Sequence, residues 1–520
     1  MNYTFREADD RAAGYLYFLN EVKIPFLPHW HQSYVSTKRI RKLEAQDKRH
    51  IIETYPNSHW AGENRLKQLE FALKHDGIQL GALYAIFATL DEDELCAYIQ
   101  SKPRSIYTRR LWFFYEFLTG NTLPIPDLPT GQYIPILDET EYYCLPKGSK
   151  VRRQRLFNNL LGEADFCPIV KRKKDVAPFP IKRIMETCKK EVGHFDVKEQ
   201  IRAKQYLYLK ETKSSFAIER ETIPASREER YVKALRLAEL QDFCTKEGFI
   251  QLQAEMLDSR YASPDYRSSQ NYVGEDRGFK DNYQPYIHYI SPKPEDLPKL
   301  MNGLIRTHEL IATSKKSVDT DLAEDLLPAH IHAAIIAYAF VFLHPFEDGN
   351  GRTHRFIIHN ILSLAKIVPE GFPFPISATM KNHSDLYDQS LEYFSQALMP
   401  SIRYELSPKG ALIVTSDSCP LYQFMDLTAQ AESLEEFIQL TAEEEFLSEL
   451  RYIRSYDQAK KAIRHIVDIP DKRIDLIIRL CHENSGHLSK DKRKSHFAEL
   501  SDTELTLIES CFAQYFNESR

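Results

Sequence analysis

The chain has 520 residues, 43% of them hydrophobic, and a formal net charge of -6. Such a chain can bury sizeable cores, and its length sets a prior of about three or four domains. The charge excludes a polycation that seeks nucleic acid with its whole surface, and the lack of any run of about 18 apolar residues excludes a helix built to span a membrane. The eight cysteines stand singly, with no Cys-x-x-Cys pair, as suits a reducing compartment. Residues 1–6 are not followed by the apolar stretch of a secretory leader, so the expected setting is cytoplasmic.

Residues 1–120 read as a helical N-terminal module of unknown role. Leu66, Leu69 and Leu73 fall on one helical face. The run 111–118, with Trp112, Phe113, Phe114, Tyr115 and Phe117, reads as a core helix. His29, Trp30 and His31 alternate as metal ligands can, but they follow Pro28 and read as a surface loop. Residues 121–200 form a connecting module. Pro124, Pro126 and Pro129 break any helix, and extended pieces follow around 133–137. Basic clusters at 150–155 and 171–174 read as solvated faces.

Residues 201–400 form the next module. Ser215 and Glu219 stand one helical turn apart, on their own an ordinary amphipathic fragment with Ile218 inward and Glu219 solvated. The spacing predicts one helix over 232–249. Tyr286, Ile287 and His288 lie in a stretch whose alternation predicts a short hairpin with 266–274. Another helix starts at 294–298 and runs toward Ile311.

An apolar helix over 331–343 then leads into His344, Pro345, Phe346, Glu347, Asp348, Gly349, Asn350, Gly351, Arg352, Thr353, His354 and Arg355. Gly349, Asn350 and Gly351 can take the positive φ that bulkier residues resist. Successive N–H groups in such a turn make a concave anion site, and the helix that follows favours negative charge at its N-terminus. Arg352 and Arg355 are three apart and project from one face. Two guanidinium groups above an amide nest describe a polyphosphate site. Asp348 is a hard oxygen ligand suited to Mg²⁺ between phosphates. His344 is the group there best suited to take a proton near neutral pH. Each piece alone has a plain reading as turn, core histidine or solvated arginine; their union within twelve residues points to chemistry.

Residues 401–520 read as a helical C-terminal module after a strand at 411–415. Phe437, Leu440, Phe446 and Leu450 sustain the apolar content, and Ile474, Ile477, Ile478 and Cys481 mark one helix face. Ser501 and Glu504 form a capping box for a last helix. Lys490, Lys492, Arg493 and Lys494 invite a DNA-binding reading, which a solvated turn explains as well. Cys481, His482 and His487 lack the second cysteine pair that a zinc site needs.

The run 344–355 resembles the signature of the Fic family, His-x-Phe-x-(Asp/Glu)-Gly-Asn-Gly-Arg-x-x-Arg, at every fixed position. The resemblance implies a mainly α fold: a Fic-type helical core with a small β-hairpin flap, flanked here by helical N- and C-terminal modules. It implies a protein adenylyltransferase that moves AMP from ATP, with Mg²⁺, to a Ser, Thr or Tyr hydroxyl of a target protein. His344 would then be the general base, Asp348 the Mg²⁺ ligand, Gly349, Asn350, Gly351 and Arg352 the phosphate site, and Arg355 the γ-phosphate contact. Tyr387 matches one of a tyrosine pair near the adenine. Tyr286, Ile287 and His288 match the flap that docks the target chain. The segment 214–220 resembles the family's inhibitory motif, (Ser/Thr)-x-x-x-Glu-(Gly/Asn), in the subgroup that carries it before the core. Glu219 would pair with Arg355 and block the γ-phosphate. Arg220 departs from that pattern, standing where Gly or Asn is expected. Removal of AMP, another nucleotide donor, self-modification and homo-oligomerisation stay open. Two readings of other classes are a nucleotide-sensing DNA-binding regulator, against which His344 argues, and a scaffold that recruits partners through residues 1–200.

Overall fold

The computed structural model describes residues 10–19, 31–37, 42–45, 51–173, 176–276, 285–407 and 411–517. The chain forms two compact units, each drawn from separated stretches. One comprises Met1–Pro178, Leu240–Ala365 and Ser384–Glu435; the other comprises Phe179–Glu239, Lys366–His383 and Glu436–Arg520. The stretch 201–400 is therefore shared between both.

The first unit opens with a sheet where the sequence predicts helices. Its strand order is Arg11–Ala13, His31–Ser36, Ile51–Pro56, Lys42–Ala45, and the middle pair is parallel. The apolar alternation that announces a strand is broken because polar, paired residues share the buried positions with Val35, Ile52 and Tyr55. Glu53 is buried and accepts from Tyr55 Oη at 2.6 Å, with His31 Nε2 at 3.0 Å. Buried Ser33 donates to Asp76 Oδ1 at 2.5 Å. His31 thus lies on a strand rather than in a surface loop, while His29 and Trp30 fall outside the described residues.

Helices follow with recognisable caps. Asn64 accepts from the Lys67 N–H to open Arg65–Phe71, and Asp91 accepts from the Glu94 N–H to open Glu92–Ser101. Such caps are worth about 1 kcal/mol each. Ile106–Thr119 stops at Gly120, whose φ of 74° suits glycine. Trp112, Phe113, Phe114 and Tyr115 are buried in one core with Leu66, Leu69 and Leu83, as the aromatic run predicts. In the basic cluster that follows, Arg153 pairs with Glu116 and Asp127, and Arg155 donates to the carbonyls of Leu128 and Pro129. Both arginines staple the proline-rich segment.

The rest of the first unit is built around Ala329–Leu343, which is buried on nearly every side. Its composition demands this, because it has no polar face to offer water. Leu297–Lys316 and Asn350–Leu364 pack against it, and Lys246–Met256 packs on Asn350–Leu364. The helix predicted over 232–249 is two helices, Ala225–Leu237 and Lys246–Met256. Asp242 accepts from the Cys244 N–H at 2.9 Å and Thr245 from the Gly248 N–H at 3.0 Å. Such local bonds compete with helix continuation and start a new one. Tyr272–Asp276 and Pro285–Ile290 form the predicted hairpin, antiparallel with a bulge between Val273 and Gly274.

In the second unit, Val197–Ile218 opens on a capping box formed by Asp196 and Glu199. Buried Glu211 accepts from both the N–H and the hydroxyl of Ser377, at 2.9 and 2.5 Å, and so caps Ile376–Asn382. Ile474, Ile477, Ile478 and Cys481 are buried together with Ile463, Ile508 and Phe512. Cys481 is therefore core. Ser501 and Glu504 exchange the bonds of a capping box. Arg493, in the basic run, is tied to Glu509 at 2.6 Å. Among the described residues no single helix is long and apolar enough to cross a membrane.

Candidate functional site

Helix Ala329–Leu343 ends on His344, which has φ 49° and ψ 57°. Its N–H still reaches the Phe340 carbonyl at 3.0 Å, so the reversal happens at the histidine itself. The ring Nδ1 lies 3.3 Å from the Val341 carbonyl. A carbonyl only accepts, so this contact puts the ring proton on Nδ1 and makes Nε2 the basic nitrogen.

The loop after His344 is held from within. Phe346 is fully buried, and Asn350 brackets it: the Phe346 N–H donates to Asn350 Oδ1 at 3.1 Å, and Asn350 Nδ2 donates to the Phe346 carbonyl at 2.8 Å. Gly349, at φ 90°, caps the next helix, and Asn350 and Gly351 are its first residues. Positive φ is therefore confined to Gly349; Asn350 and Gly351 contribute N–H groups at a helix N-terminus instead. The site remains one that favours anions, by helix end and glycine turn. Asp348 Oδ1 accepts from the Gly349 N–H at 2.5 Å and from Arg352 Nη2 at 2.8 Å. The Arg352 side chain is 1% exposed and that of Asp348 56%. The aspartate thus orients the arginine while facing water.

Arg355 is fully buried, and its Nη1 donates to Tyr387 Oη at 3.3 Å. Tyr387 lies on Ser384–Leu398, and its ring also stacks with His354 at 6.1 Å between centroids. Sequence spacing gave no contact between Arg355 and Tyr387; the fold makes them neighbours. His354 donates from Nδ1 to the Ala337 carbonyl at 2.8 Å. Burial pushes its pKa down from the usual 6.5 to about 3, so it is neutral and structural.

On the hairpin, Tyr286 is exposed, Ile287 half-buried and His288 exposed. Tyr286 and His288 meet edge to face at 4.7 Å. Tyr289, next along, is buried and donates to the Phe342 carbonyl, two residues before His344. Arg267 is the residue that sequence reasoning missed. It is buried, and its side chain donates to the carbonyls of His344, Ser269 and Pro292 at 2.8, 2.6 and 2.6 Å. Its neighbours Ser268, Ser269, Gln270 and Asn271 average to a polar loop, which hides a buried cation.

Ser215 and Glu219 belong to the second unit. Ser215 is buried, and Glu219 is the exposed C-cap of Val197–Ile218. Arg220 follows with φ 57°. Its N–H bonds the Ala217 carbonyl at 3.0 Å, and the Glu221 N–H bonds that of Phe216 at 3.2 Å, a Schellman turn. The arginine therefore takes the left-handed conformation that Gly or Asn adopts more readily.

Asp242, Cys244 and His308 are close enough to suggest a metal. Asp242 Oδ2 and His308 Nε2, however, lie 2.8 Å apart. That is a hydrogen bond, closer than the roughly 3.3 Å that tetrahedral zinc imposes between O and N ligands.

Residues 243–362 match the model of the Fic/DOC family. The chain is 33% identical over 147 residues to "Protein adenylyltransferase Fic" of Nematostella vectensis, covering 27% of this chain and 26% of that one. It is 28% identical over 180 residues to the protein of the same name from Aedes aegypti, covering 34% and 29%. A Fido domain-containing protein of Dictyostelium discoideum is 34% identical over 98 residues, 19% of this chain and 57% of that one. The chain thus spans under a third of the length of the two adenylyltransferases it matches. Among solved structures, a Fic family protein from Desulfovibrio desulfuricans aligns at 18% identity and TM-score 0.33, over 67% of this chain and 90% of that one.

Proposed function

We propose, from the premise that this chain belongs to the Fic/DOC family through residues 243–362, that it is a protein adenylyltransferase. It moves AMP from ATP to a Ser, Thr or Tyr hydroxyl of a target protein, and Glu219 restrains it. The observation that carries this reading is the His344 ring, whose Nδ1 faces the Val341 carbonyl, one short loop ahead of a helix N-terminus with two buried arginines; that contact supports Nε2 as the proton acceptor.

The target docks in extended form beside Tyr286, Ile287 and His288, where main-chain bonding to a hairpin edge demands little of its sequence. His344 Nε2 takes the hydroxyl proton. The freed oxygen attacks the α-phosphorus, a new O–P bond forms, and the bond from the α-phosphorus to the α–β bridging oxygen breaks. Pyrophosphate leaves with that electron pair, held by Arg352, Arg355 and the helix N-terminus. Positioning and charge neutralisation are what such a transfer needs. Asp348 suits Mg²⁺: one carboxylate oxygen is engaged by Arg352 and Gly349, yet the side chain is largely exposed, and one carboxylate plus substrate phosphates is an ordinary magnesium set. Bound there, the ion would neutralise phosphate charge. The eight free cysteines accord with a cytoplasmic setting.

The test uses ATP labelled at the α-phosphate with the unaltered chain, Glu219→Gly, and Glu219→Gly combined with His344→Ala. Label that survives denaturation should rise with the first change and vanish with the second. Label that persists without His344 would overturn the reading.

A further inference from the structure

We infer that Arg267 is the positioning residue for His344: it clamps the His344 turn to both roots of the hairpin, and so fixes the ring proton on Nδ1 and ties target docking to the base. The inference rests on His344 being the base.

A residue other than glycine at φ near +50° costs about 1–2 kcal/mol and persists only where its surroundings over-determine it. Here Arg267 supplies two of the bonds that do so. Arg267 Nε donates to the His344 carbonyl at 2.8 Å, and the Arg267 backbone N–H donates to the Pro345 carbonyl at 2.8 Å. The same guanidinium reaches the carbonyls of Ser269 and Pro292, both at 2.6 Å. Ser269 leads into the strand Tyr272–Asp276, and Pro292 follows the strand Pro285–Ile290. The clamp is doubled on the other side, where Tyr289 donates to the Phe342 carbonyl.

Burial lowers Arg267 from its ordinary value to about 10, which leaves it a cation at neutral pH, so its bonds are charge-assisted. The three carbonyls are met by three separate nitrogens of one planar fork, Nε, Nη1 and Nη2; a lysine would have to draw all three to a single nitrogen. The chemical consequence follows from the turn. With the His344 carbonyl held, the ring stays on the Val341 carbonyl and the proton stays on Nδ1. Once that carbonyl is released, the ring can turn away, and a proton on Nε2 disables it as acceptor. Residues that bind nucleotide lie further on and are held by Asp348 and Tyr387, so they are insensitive to this clamp.

The experiment uses the full chain with ¹⁵N-labelled histidine, unaltered and as Arg267→Met and Arg267→Lys. The His344 ring, assigned by its loss in His344→Gln, is read for its tautomer by ¹H–¹⁵N correlation, beside ATP affinity and, in the Glu219→Gly background, AMP transfer. The unaltered chain should show protonated Nδ1. Arg267→Met should move population to protonated Nε2, cut transfer about tenfold or more, and change ATP affinity by about threefold or less. Arg267→Lys should fail to rescue the tautomer. If Arg267→Met does not fold, Arg267→Lys decides by the same signal. An unchanged tautomer in the variant that folds would overturn the inference. Absence of AMP transfer even with Glu219→Gly would remove the proposed function and leave the tautomer test standing.

Discussion

Among the described residues, four helices run into a left-handed residue that is not glycine, Arg220, His344, Lys366 and Ser485, and the turns at Arg220 and His344 are held in opposite ways. After Val197–Ile218 comes Arg220, at φ 57°, in a turn closed by its own backbone bonds to Phe216 and Ala217. After Ala329–Leu343 comes His344, at φ 49°, gripped from outside by Arg267 and by a loop that Asn350 brackets. The first turn would form with any residue and would form best with glycine. The second is clamped so that a residue chosen for its chemistry can sit in a conformation it would otherwise avoid. Backbone strain alone therefore does not mark a site; strain enforced by distant residues does.

Glycine substitution at each turn separates the two. His344→Gly relieves the backbone cost but deletes the proposed base, so AMP transfer in the Glu219→Gly background should fall about 10²–10⁴-fold while the melting temperature holds or rises. Arg220→Gly in the same background should leave transfer within about threefold. Phosphate-labelled ATP reads both. Equal losses at the two turns would break the comparison.

The next effect concerns pH. His354 sits behind the site, buried and neutral, with its pKa pushed from 6.5 to about 3. Its unfolded counterpart binds a proton between those values and the folded one does not, so stability rises with pH across that window. The contribution is complete above about pH 6.5 and is lost as pH falls toward 3, at most about 5 kcal/mol from the size of the shift. His354→Asn keeps an N–H for the Ala337 carbonyl and should flatten the acid limb of apparent Tm against pH. An unchanged limb would assign acid lability to other groups.

A smaller effect is expected at the bracket. Asn350→Ala leaves the Phe346 N–H without its 3.1 Å bond to the side chain, at a cost of about 1–3 kcal/mol. Denaturant unfolding reads the cost, and the loss of transfer should exceed it, because the same bracket places the loop between the proposed base and the proposed phosphate site. A variant less stable but fully active would show that Asn350 serves the fold alone.

What could be read from the sequence followed from contiguity. His344, Asp348, Gly349, Arg352 and Arg355 are neighbours in the chain, and the turn and helix they predict are the ones found. Arg267 acts 77 positions from the carbonyl it holds, and nothing in its polar surroundings announces burial. Tyr387 reaches Arg355 from another helix for the same reason. Period-two reading failed in the N-terminal sheet, where Ser33 and Glu53 are buried through specific partners rather than by apolarity. The break at 238–245 was hidden because it holds neither glycine nor proline; Thr245, as side-chain cap, starts the next helix there.

The smallest effect sharpens the comparison most. Arg220 already sits where its Cβ is disfavoured, in a Schellman turn closed by the backbone bonds to Ala217 and Phe216. Arg220→Gly loses none of them and removes a left-handed penalty of about 1 kcal/mol. The larger freedom that glycine gives the unfolded chain offsets part of that gain, so the second unit should gain roughly 0.5–1 kcal/mol in denaturant unfolding. Arg220→Ala keeps the Cβ and should gain nothing. A gain with Ala equal to that with Gly would trace the effect to the arginine side chain rather than to the left-handed backbone, and would remove strain at this turn from the comparison.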